Sequence, residues 1–510
     1  MKIINKNNLL FIALLLLICI FAISPLFKPG FFVTDDGEWM IIRFSAFFQA
    51  AKDGQLPVRF LQQLNFGYGY PVPTFLYPGF MYAGAFIHLF KIGFVDTIKI
   101  ILGLSLVGTT IFVYCWLVKA FKDKVAAIAG AVVSLYMPYH LYDIYVRGSV
   151  GEVFAFTWAA LILWMIEQKN IFFISVGIFL LIISHNTMAF LFLPLLFVYA
   201  FLRKTLQLRQ LLISFILGVL LASFFIIPAI FELPLTQFAQ TTIANPLNYF
   251  VSYSLIGLGV LFIFLLALIF IFKKKQKNYL AILFLIFTFL ATFLSTSWSS
   301  FIWQVIPSSF IQFPFRLLSY LIITVAFLAA FIVSEIKGKF RKIILTTVVF
   351  VLFFVAAYQY GVPKDFTNKG DGFYFTNEAT TTVRDEYLPI WVKQKDTQRT
   401  EEKVQIMSGK GVVKNIFYNN KQITFRVIAE DKIKVRINTI YWPGWNLEVD
   451  NNKGTFSYNN PQGLMEFDVE KGAHQVRAVF GETTFRIVSD FISALAFIVL
   501  IVFNKRKNNE

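Results

Sequence analysis

Two adjacent acids, Asp35 and Asp36, follow directly on the first apolar run of a chain dense in such runs. A charge is expensive inside a bilayer, about 2.5–3.5 kcal/mol at the centre of a span, so acids held at its surface are candidates for chemistry. Further on, Asp143, Arg147 and Glu152 share one connection, His185 sits in Ser184-His185-Asn186, and Gln312 and Arg316 flank Phe313-Pro314-Phe315. A carboxylate can take the proton of an attacking hydroxyl, worth ~10²–10⁴-fold. Arginine presents a planar, always ionised fork that meets phosphate oxygens in pairs. Acid, guanidinium and apolar wall together suit reaction at a group carried on a lipid phosphate.

Each of these residues also has a structural reading. Asp35 or Asp36 could cap a helix beginning near Gly37, since aspartate at an N-cap meets free amides and the positive end of the dipole. Arg147 with Glu152 could be an ion pair at a helix entrance, His185 could hydrogen-bond its own hairpin, and Arg316 could reach toward the interface. Trp442 and Trp445 read as core of a β domain.

The elements that must hold these residues are membrane spans. The 510 residues are 57% hydrophobic with 62 Phe, and the mean hydropathy is +0.67, far above a soluble chain. Apolar runs of about 17–25 residues recur, each able to cross a core about 30 Å thick. Twelve spans are predicted, near 8–27, 98–118, 125–140, 153–167, 171–185, 187–202, 211–228, 252–272, 279–294, 315–334, 343–358 and 488–504. Run 8–27 reads as a retained anchor, being longer than a signal-peptide core and followed by no small-residue cleavage pattern.

The net charge of +17 is one-sided. Alternate connections, with both termini, hold 20 Lys/Arg against four acids, while the rest holds 26 against 25. That asymmetry predicts a multi-pass protein with both termini cytoplasmic, and it removes any need for nucleic acid as a partner. It also makes 75–92 a helix in the outer leaflet, because a crossing there would reverse every later loop. Cys19 and Cys115 lie in apolar runs, and the four histidines have no zinc-binding spacing. The neighbouring acids leave room for a divalent cation, Mg or Mn, but two adjacent carboxylates do not make a cage.

The predicted organisation follows. Residues 1–30 carry the first span, and 31–97 form an extracytoplasmic first loop. In that loop a helix from Asp36 to Lys52 lays Trp39, Ile42, Phe44, Phe47 and Phe48 on lipid while Arg43 and Lys52 snorkel. Residues 98–358 form the helical bundle, 360–487 an extracytoplasmic β-sandwich read from alternation in Gln422–Val427 and Lys432–Ile437, and 488–510 the last span with a basic tail. Every candidate acid and base falls on the outer side.

The chain resembles the bacterial membrane proteins labelled 6-pyruvoyl-tetrahydropterin synthase-related, which are YfhO-like and similar to the GT-C class of membrane glycosyltransferases. The resemblance runs over nearly the whole length. It rests on Asp36 with Arg43; Asp53-Gly54-Gln55-Leu56-Pro57-Val58-Arg59; Phe66-Gly67-Tyr68-Gly69-Tyr70-Pro71; and Tyr145-Val146-Arg147-Gly148 with Glu152. It continues through Ser184-His185-Asn186, Gln312-Phe313-Pro314-Phe315-Arg316, Glu386-Tyr387-Leu388-Pro389 and Tyr441-Trp442-Pro443-Gly444-Trp445.

The resemblance implies a polytopic GT-C-like fold in a bacterial plasma membrane, a polyprenyl-phosphate-linked sugar as donor, and a cell-envelope glycan or lipid as acceptor. It implies Asp36 as general base, with Asp35 beside it where relatives carry His. Substrate contacts are then expected from Arg43, Arg59, Asp143, Arg147, Glu152, His185, Gln312 and Arg316. Pterin chemistry finds no support, because the clustered histidines it needs are missing. Two readings of other classes remain: a lipid-glycan flippase or export partner, with charges along a midplane path, and a noncatalytic envelope-assembly scaffold.

Overall fold

The protein was examined as a computed structural model, which describes residues 6–240, 246–273, 278–305, 311–376, 378 and 385–509. Lys2 and most of the basic cluster at 274–277 lie outside the described residues. The helices are α1 (Lys6–Ile23), α2 (Gly37–Lys52), α3 (Gly79–His88), α4 (Phe94–Phe121), α5 (Lys124–Leu135), α6 (Pro138–Tyr142), α7 (Val150–Glu167), α8 (Ile171–Ser184), α9 (Asn186–Arg203) and α10 (Leu208–Leu221). There follow α11 (Ser223–Glu232), α12 (Tyr253–Ile256), α13 (Leu258–Lys273), α14 (Tyr279–Leu294), α15 (Ser300–Trp303), α16 (Leu321–Glu335), α17 (Lys339–Tyr358), α18 (Asp371–Thr376) and α19 (Thr484–Asn509).

By length and apolar composition six helices can cross a bilayer, or nine if each of three bent pairs is one crossing. Shorter apolar helices cover 11–27, 171–184 and 258–273. Each of the twelve expected segments overlaps one of these. The bundle closes on α16, whose residues Leu321 to Val333 are all buried. Beside it α5 is rich in Ala and Gly, and a Cβ on Gly130 would stand 2.6 Å from the Ala326 carbonyl oxygen. Small residues there let two backbones meet closely, the packing that apolar solvent favours.

The reading of α2 as a helix lying on lipid is corrected. Ile42, Phe44 and Phe47 are buried, and Arg43 is only 3% exposed. The apolar face of α2 is covered by protein: Phe44 meets Phe94 of α4 at 5.6 Å between centroids and Phe47 meets Tyr82 of α3 at 4.9 Å. An amphipathic pattern fixes that a face is buried and not what buries it. The ten-residue α3 spans about 15 Å at 1.5 Å per residue, too short to cross.

The strands of the outer sandwich begin at Val404. Ahead of them, Phe366–Thr367 (β2) pairs antiparallel with Phe31–Phe32 (β1), and Asp371 accepts a hydrogen bond from the Phe94 amide at the start of α4. Residues 360–376 therefore strap back across the first loop. The eight later strands are β3 (Val404–Ser408), β4 (Gly411–Tyr418), β5 (Gln422–Ala429), β6 (Ile433–Ile440), β7 (Trp445–Val449), β8 (Asn452–Gly454), β9 (Leu464–Val469) and β10 (Gly472–Phe480). They form two antiparallel sheets, β4-β5-β10-β7-β8 and β3-β6-β9, around one core. That core includes Phe60 and Phe75 from the first loop, edge-on to Trp445 and Trp442 respectively, each at 5.9 Å. The two tryptophans are core, and the core is shared across the junction.

Polar contacts fix the junction further. The Asp53 carboxylate accepts from the backbone and side-chain nitrogens of Asn420 at 2.9 and 2.7 Å. The Lys403 ammonium donates to the carbonyls of Gly67 and Asn438 at 2.7 and 2.8 Å. Burial, with Arg399 beside it, lowers Lys403 from 10.5 to about 7, against the opposite pull of Glu378. Between those values the unfolded chain holds a proton that the folded one has released, so Lys403 makes stability rise with pH from about 7 toward 10.5. Thermal unfolding midpoints taken across that window will climb less steeply in Lys403→Met than in wild type; equal slopes would contradict the assignment.

Candidate active site

The first-loop acids are placed by backbone contacts. The amides of Asp35 and Asp36 donate to the carbonyls of Val146 and Arg147 at 3.0 and 2.7 Å. Gly148 makes this approach possible: its φ is +70°, and a Cβ there would lie 2.6 Å from the Gly37 nitrogen. The cap of α2 is supplied by Thr34, whose hydroxyl accepts from the Gly37 amide at 3.0 Å. Asp36 occupies the N-cap position yet takes no cap hydrogen bond, and its carboxylate has no hydrogen-bond partner among the described residues. Capping alone does not account for it. Asp35 is exposed, and partial burial plus the Asp36 charge hold its carboxyl above the usual carboxylate value, against the pull of Arg147.

Below these acids the chain from Asp143 to Arg147 forms one π-helical turn that ends at Gly148, before α7 opens. Such wide turns are frequent at functional sites. This one sets Arg147 Nη1 2.7 Å from Asp143 and 2.8 Å from Glu152 in the first turn of α7. Arg316, from the 3₁₀ turn Pro314–Tyr320 that leads into α16, meets the same Glu152 oxygen through Nε at 2.8 Å. The Tyr139 hydroxyl donates to the other Glu152 oxygen at 3.1 Å. These residues were expected on an outer connection, whereas Asp143 and Glu152 are fully buried. A carboxylate deep in protein needs its charge balanced and its lone pairs filled, and here two guanidiniums and a phenol do so.

The Phe313-Pro314-Phe315 segment covers that pair. Phe313 and Phe315 stack at 5.1 Å, with Arg147 5.0 Å from the Phe315 centroid and Arg316 5.2 Å from that of Phe313. Gln312, at φ +66°, accepts from Arg316 Nη1 at 2.9 Å and so positions it. Of the Arg147 bonds to side chains, all run through Nη1.

His185 caps α9, its Nδ1 accepting from the Met188 amide at 3.4 Å. That leaves Nε2 toward Glu152, at 3.7 Å, and the ring stacks on Tyr77 at 4.3 Å. Tyr77 is pressed down by Gly151, where a Cβ would come within 2.1 Å of its ring. The Tyr77 phenol lies in the fields of Asp36, Glu152, Arg316 and Arg43 together, which ties the first-loop acid to the buried cluster. Arg43, seven residues and so two turns beyond Asp36 on the same face of α2, is buried, and its Nε lacks a hydrogen-bond partner among the described residues. Tyr70, Tyr387 and Glu386 share its electrostatic neighbourhood. None of these tyrosines was named as a candidate in the sequence: Tyr70 and Tyr387 appear only inside the Phe66–Pro71 and Glu386–Pro389 motifs, and Tyr77 carries no signal there.

Arg59 stands apart. It bonds Glu482 at 3.1 Å, Asp490 at 2.9 Å and the Phe224 carbonyl at 2.7 Å, next to a paired Arg486 and Glu232. Its motif docks α19 onto the first loop. As for a metal, no three His, Cys, Asp or Glu side chains converge among the described residues. Asp143 and Glu152 already give oxygens to guanidiniums, so the donor set does not fit a cation.

No family model matches the chain, and no curated protein does, so the finer family resemblance of its motifs has no counterpart there. Nine solved chains are similar to it. One is the archaeal oligosaccharyltransferase AglB from Archaeoglobus fulgidus, solved in complex with an inhibitory peptide and a dolichol-phosphate: TM-score 0.43, 11% identity, covering 74% of this chain. The chain spans 57% of that protein's length.

The geometry separates a structural acid from an available one. Glu152→Gln leaves two buried guanidiniums short of a charge and will destabilise the fold by about 3–5 kcal/mol. Asp36→Asn, at a half-buried carboxylate without hydrogen bonds, will stay within about 0.5 kcal/mol of wild type. Thermal unfolding in one detergent checks both; equal losses would make Asp36 another structural acid.

Proposed function

We propose that the protein is a GT-C-type inverting glycosyltransferase that moves a sugar from a polyprenyl-phosphate donor to a cell-envelope glycan or lipid on the outer face of a bacterial plasma membrane. The observation that carries this reading is an Asp36 carboxylate without a hydrogen-bond partner among the described residues and, two turns along the same helix, a buried Arg43 whose Nε has none either, with Tyr77 in the field of both. Asp36 takes the proton of the acceptor hydroxyl, and the oxygen's electron pair forms the new bond to the anomeric carbon. The bond from that carbon to the phosphate oxygen breaks, its electrons leaving with the polyprenyl phosphate. The leaving phosphate gains one negative charge, which Arg43 meets with its unused donor and Arg147 and Arg316 meet with charge already fixed in place. Preorganised cations at the site of developing charge need no reorganisation in the transition state.

An apolar groove of about 820 Å³, lined by Leu258, Leu261, Phe289, Phe293, Val351 and Val355, suits the polyprenyl tail. Ser254 on its wall is 3.2 Å from the Tyr360 hydroxyl, and Tyr360, Tyr142 and Phe315 lead ring by ring toward Arg147. Glu152 lies in the first turn of α7 and Glu167 at its far end, about 22 Å away at 1.5 Å per residue, bonded to Arg203. That basic connection thus lies at the end of α7 opposite the cluster, which supports an outer-face site with cytoplasmic termini over a midplane path.

Mass spectrometry of surface glycans and lipid-linked sugars tests the reading. Asp36→Asn will lose one sugar by ~10²–10⁴-fold in rate, with its lipid-phosphate donor accumulating as in a deletion strain. Unchanged glycans in Asp36→Asn, with altered ones in the deletion, would refute a catalytic Asp36.

A further inference from the structure

A second cleft, away from the charged cluster, lies where the C-terminal end of α2 and the following loop face the outer sandwich. Its volume is about 1190 Å³. Ligand pockets for apolar molecules are walled by hydrophobic side chains. This one is walled mainly by amides, hydroxyls and charged groups, among them Gln49, Gln62, Gln63, Asn419 and Asn420.

Amide side chains offer donor and acceptor side by side, which is what a sugar hydroxyl, itself both, can use. Gln62 is 4% exposed, lines the cleft, and keeps an Oε1 without a hydrogen-bond partner. Gln49 and Gln63 are held ready: Gln49 Nε2 donates to Gln63 Oε1 at 2.6 Å, and Gln63 Nε2 to the Phe375 carbonyl at 2.7 Å. Flat apolar surface stands beside them in Tyr418 and Phe375, 44% and 51% exposed, the amphipathic faces on which the C–H side of a pyranose rests.

The charges set the class of sugar. Asp53, Glu378, Glu401 and Glu402 line the cleft against Arg399 and Lys403, and Glu378 and Arg399 neutralise each other at 2.7 Å. Among the described residues the remainder is negative, so a polymer bearing carboxylates or phosphates is repelled. The position sets the purpose. Gln49 is thirteen residues beyond Asp36 on α2, about 20 Å along the axis at 1.5 Å per residue. A glycan held at Gln49 must therefore be several sugars long for its end to reach Asp36.

We propose that this cleft binds a neutral glycan chain and presents its terminal hydroxyl to Asp36, making the acceptor a polysaccharide or oligosaccharide with uncharged sugars. The inference rests on the transferase reading for its purpose, while the binding itself does not. Full-length protein in lipid nanodiscs is titrated with maltohexaose, mannohexaose and chitohexaose, and with hexagalacturonate as the anionic counterpart, by saturation-transfer NMR. At least one neutral hexamer will bind, with hexagalacturonate at least about tenfold weaker. Tyr418→Ala and Gln63→Ala will each weaken the neutral ligand about tenfold with unchanged unfolding midpoints, and Asp36→Asn will bind like wild type. Silence toward all three neutral hexamers, a preference for hexagalacturonate, or unaltered binding in both cleft variants would overturn the proposal. Binding that survives in Asp36→Asn while transfer also survives there would leave the cleft standing and remove the catalytic acid instead.

Discussion

The architecture turns on one carboxylate. Glu152 is fully buried and, through its two oxygens, ties the continuous α6–π-turn segment, by Tyr139 and Arg147, to the entry to α16, by Arg316. Desolvating an acid and two guanidiniums is costly, and a tight, fully bonded geometry is what offsets it. With that geometry formed, the positions of Phe313 and Phe315 over the guanidiniums, the Gly148 turn beneath Asp36 and the ring of His185 on Tyr77 are all constrained. Two arginines share one glutamate oxygen, and with Asp143 the two guanidiniums face two carboxylates, so the formal charges of the cluster balance. The second Asp143 oxygen has no hydrogen-bond partner among the described residues.

Around this clamp, α2 serves as the joint between bundle and outer domain. Its start rests on the π turn through the Asp35 and Asp36 amides, its middle contributes buried Arg43, and Asp53 at its end holds Asn420 of the sandwich. The strap of residues 360–376 closes over it through β2 and α18. A helix gripped at both ends moves little relative to either partner, which is the condition for a site whose acid and cation come from the same helix as the junction.

Much of this was legible in the sequence, for identifiable reasons. Apolar run length located every crossing candidate, because the bilayer's thickness sets a length that chance rarely reproduces. Alternation at Gln422–Val427 and Lys432–Ile437 marked β5 and β6. Asp143, Arg147, Glu152, His185, Gln312 and Arg316 stood out as polar residues between apolar runs, and the fold gathers all six. The environment of α2 was not legible, since its pattern gives a buried face without saying whether lipid or protein covers it. Nor was the depth of Glu152, which follows from the contact of its own segment with Arg316, 164 positions away. Arg59 shared a motif with the site residues, but its partners Glu482 and Asp490 lie more than four hundred positions away.

The central claim is that a lipid phosphate sits against the Arg43 guanidinium next to Asp36. Native mass spectrometry of protein extracted from membranes in mild detergent reads that occupancy directly. The account predicts co-purifying polyprenyl phosphate or its sugar-linked form on wild type and on Asp36→Asn, and its loss from Arg43→Gln with the fold intact. A protein free of lipid phosphate, or equal occupancy in Arg43→Gln, would contradict it.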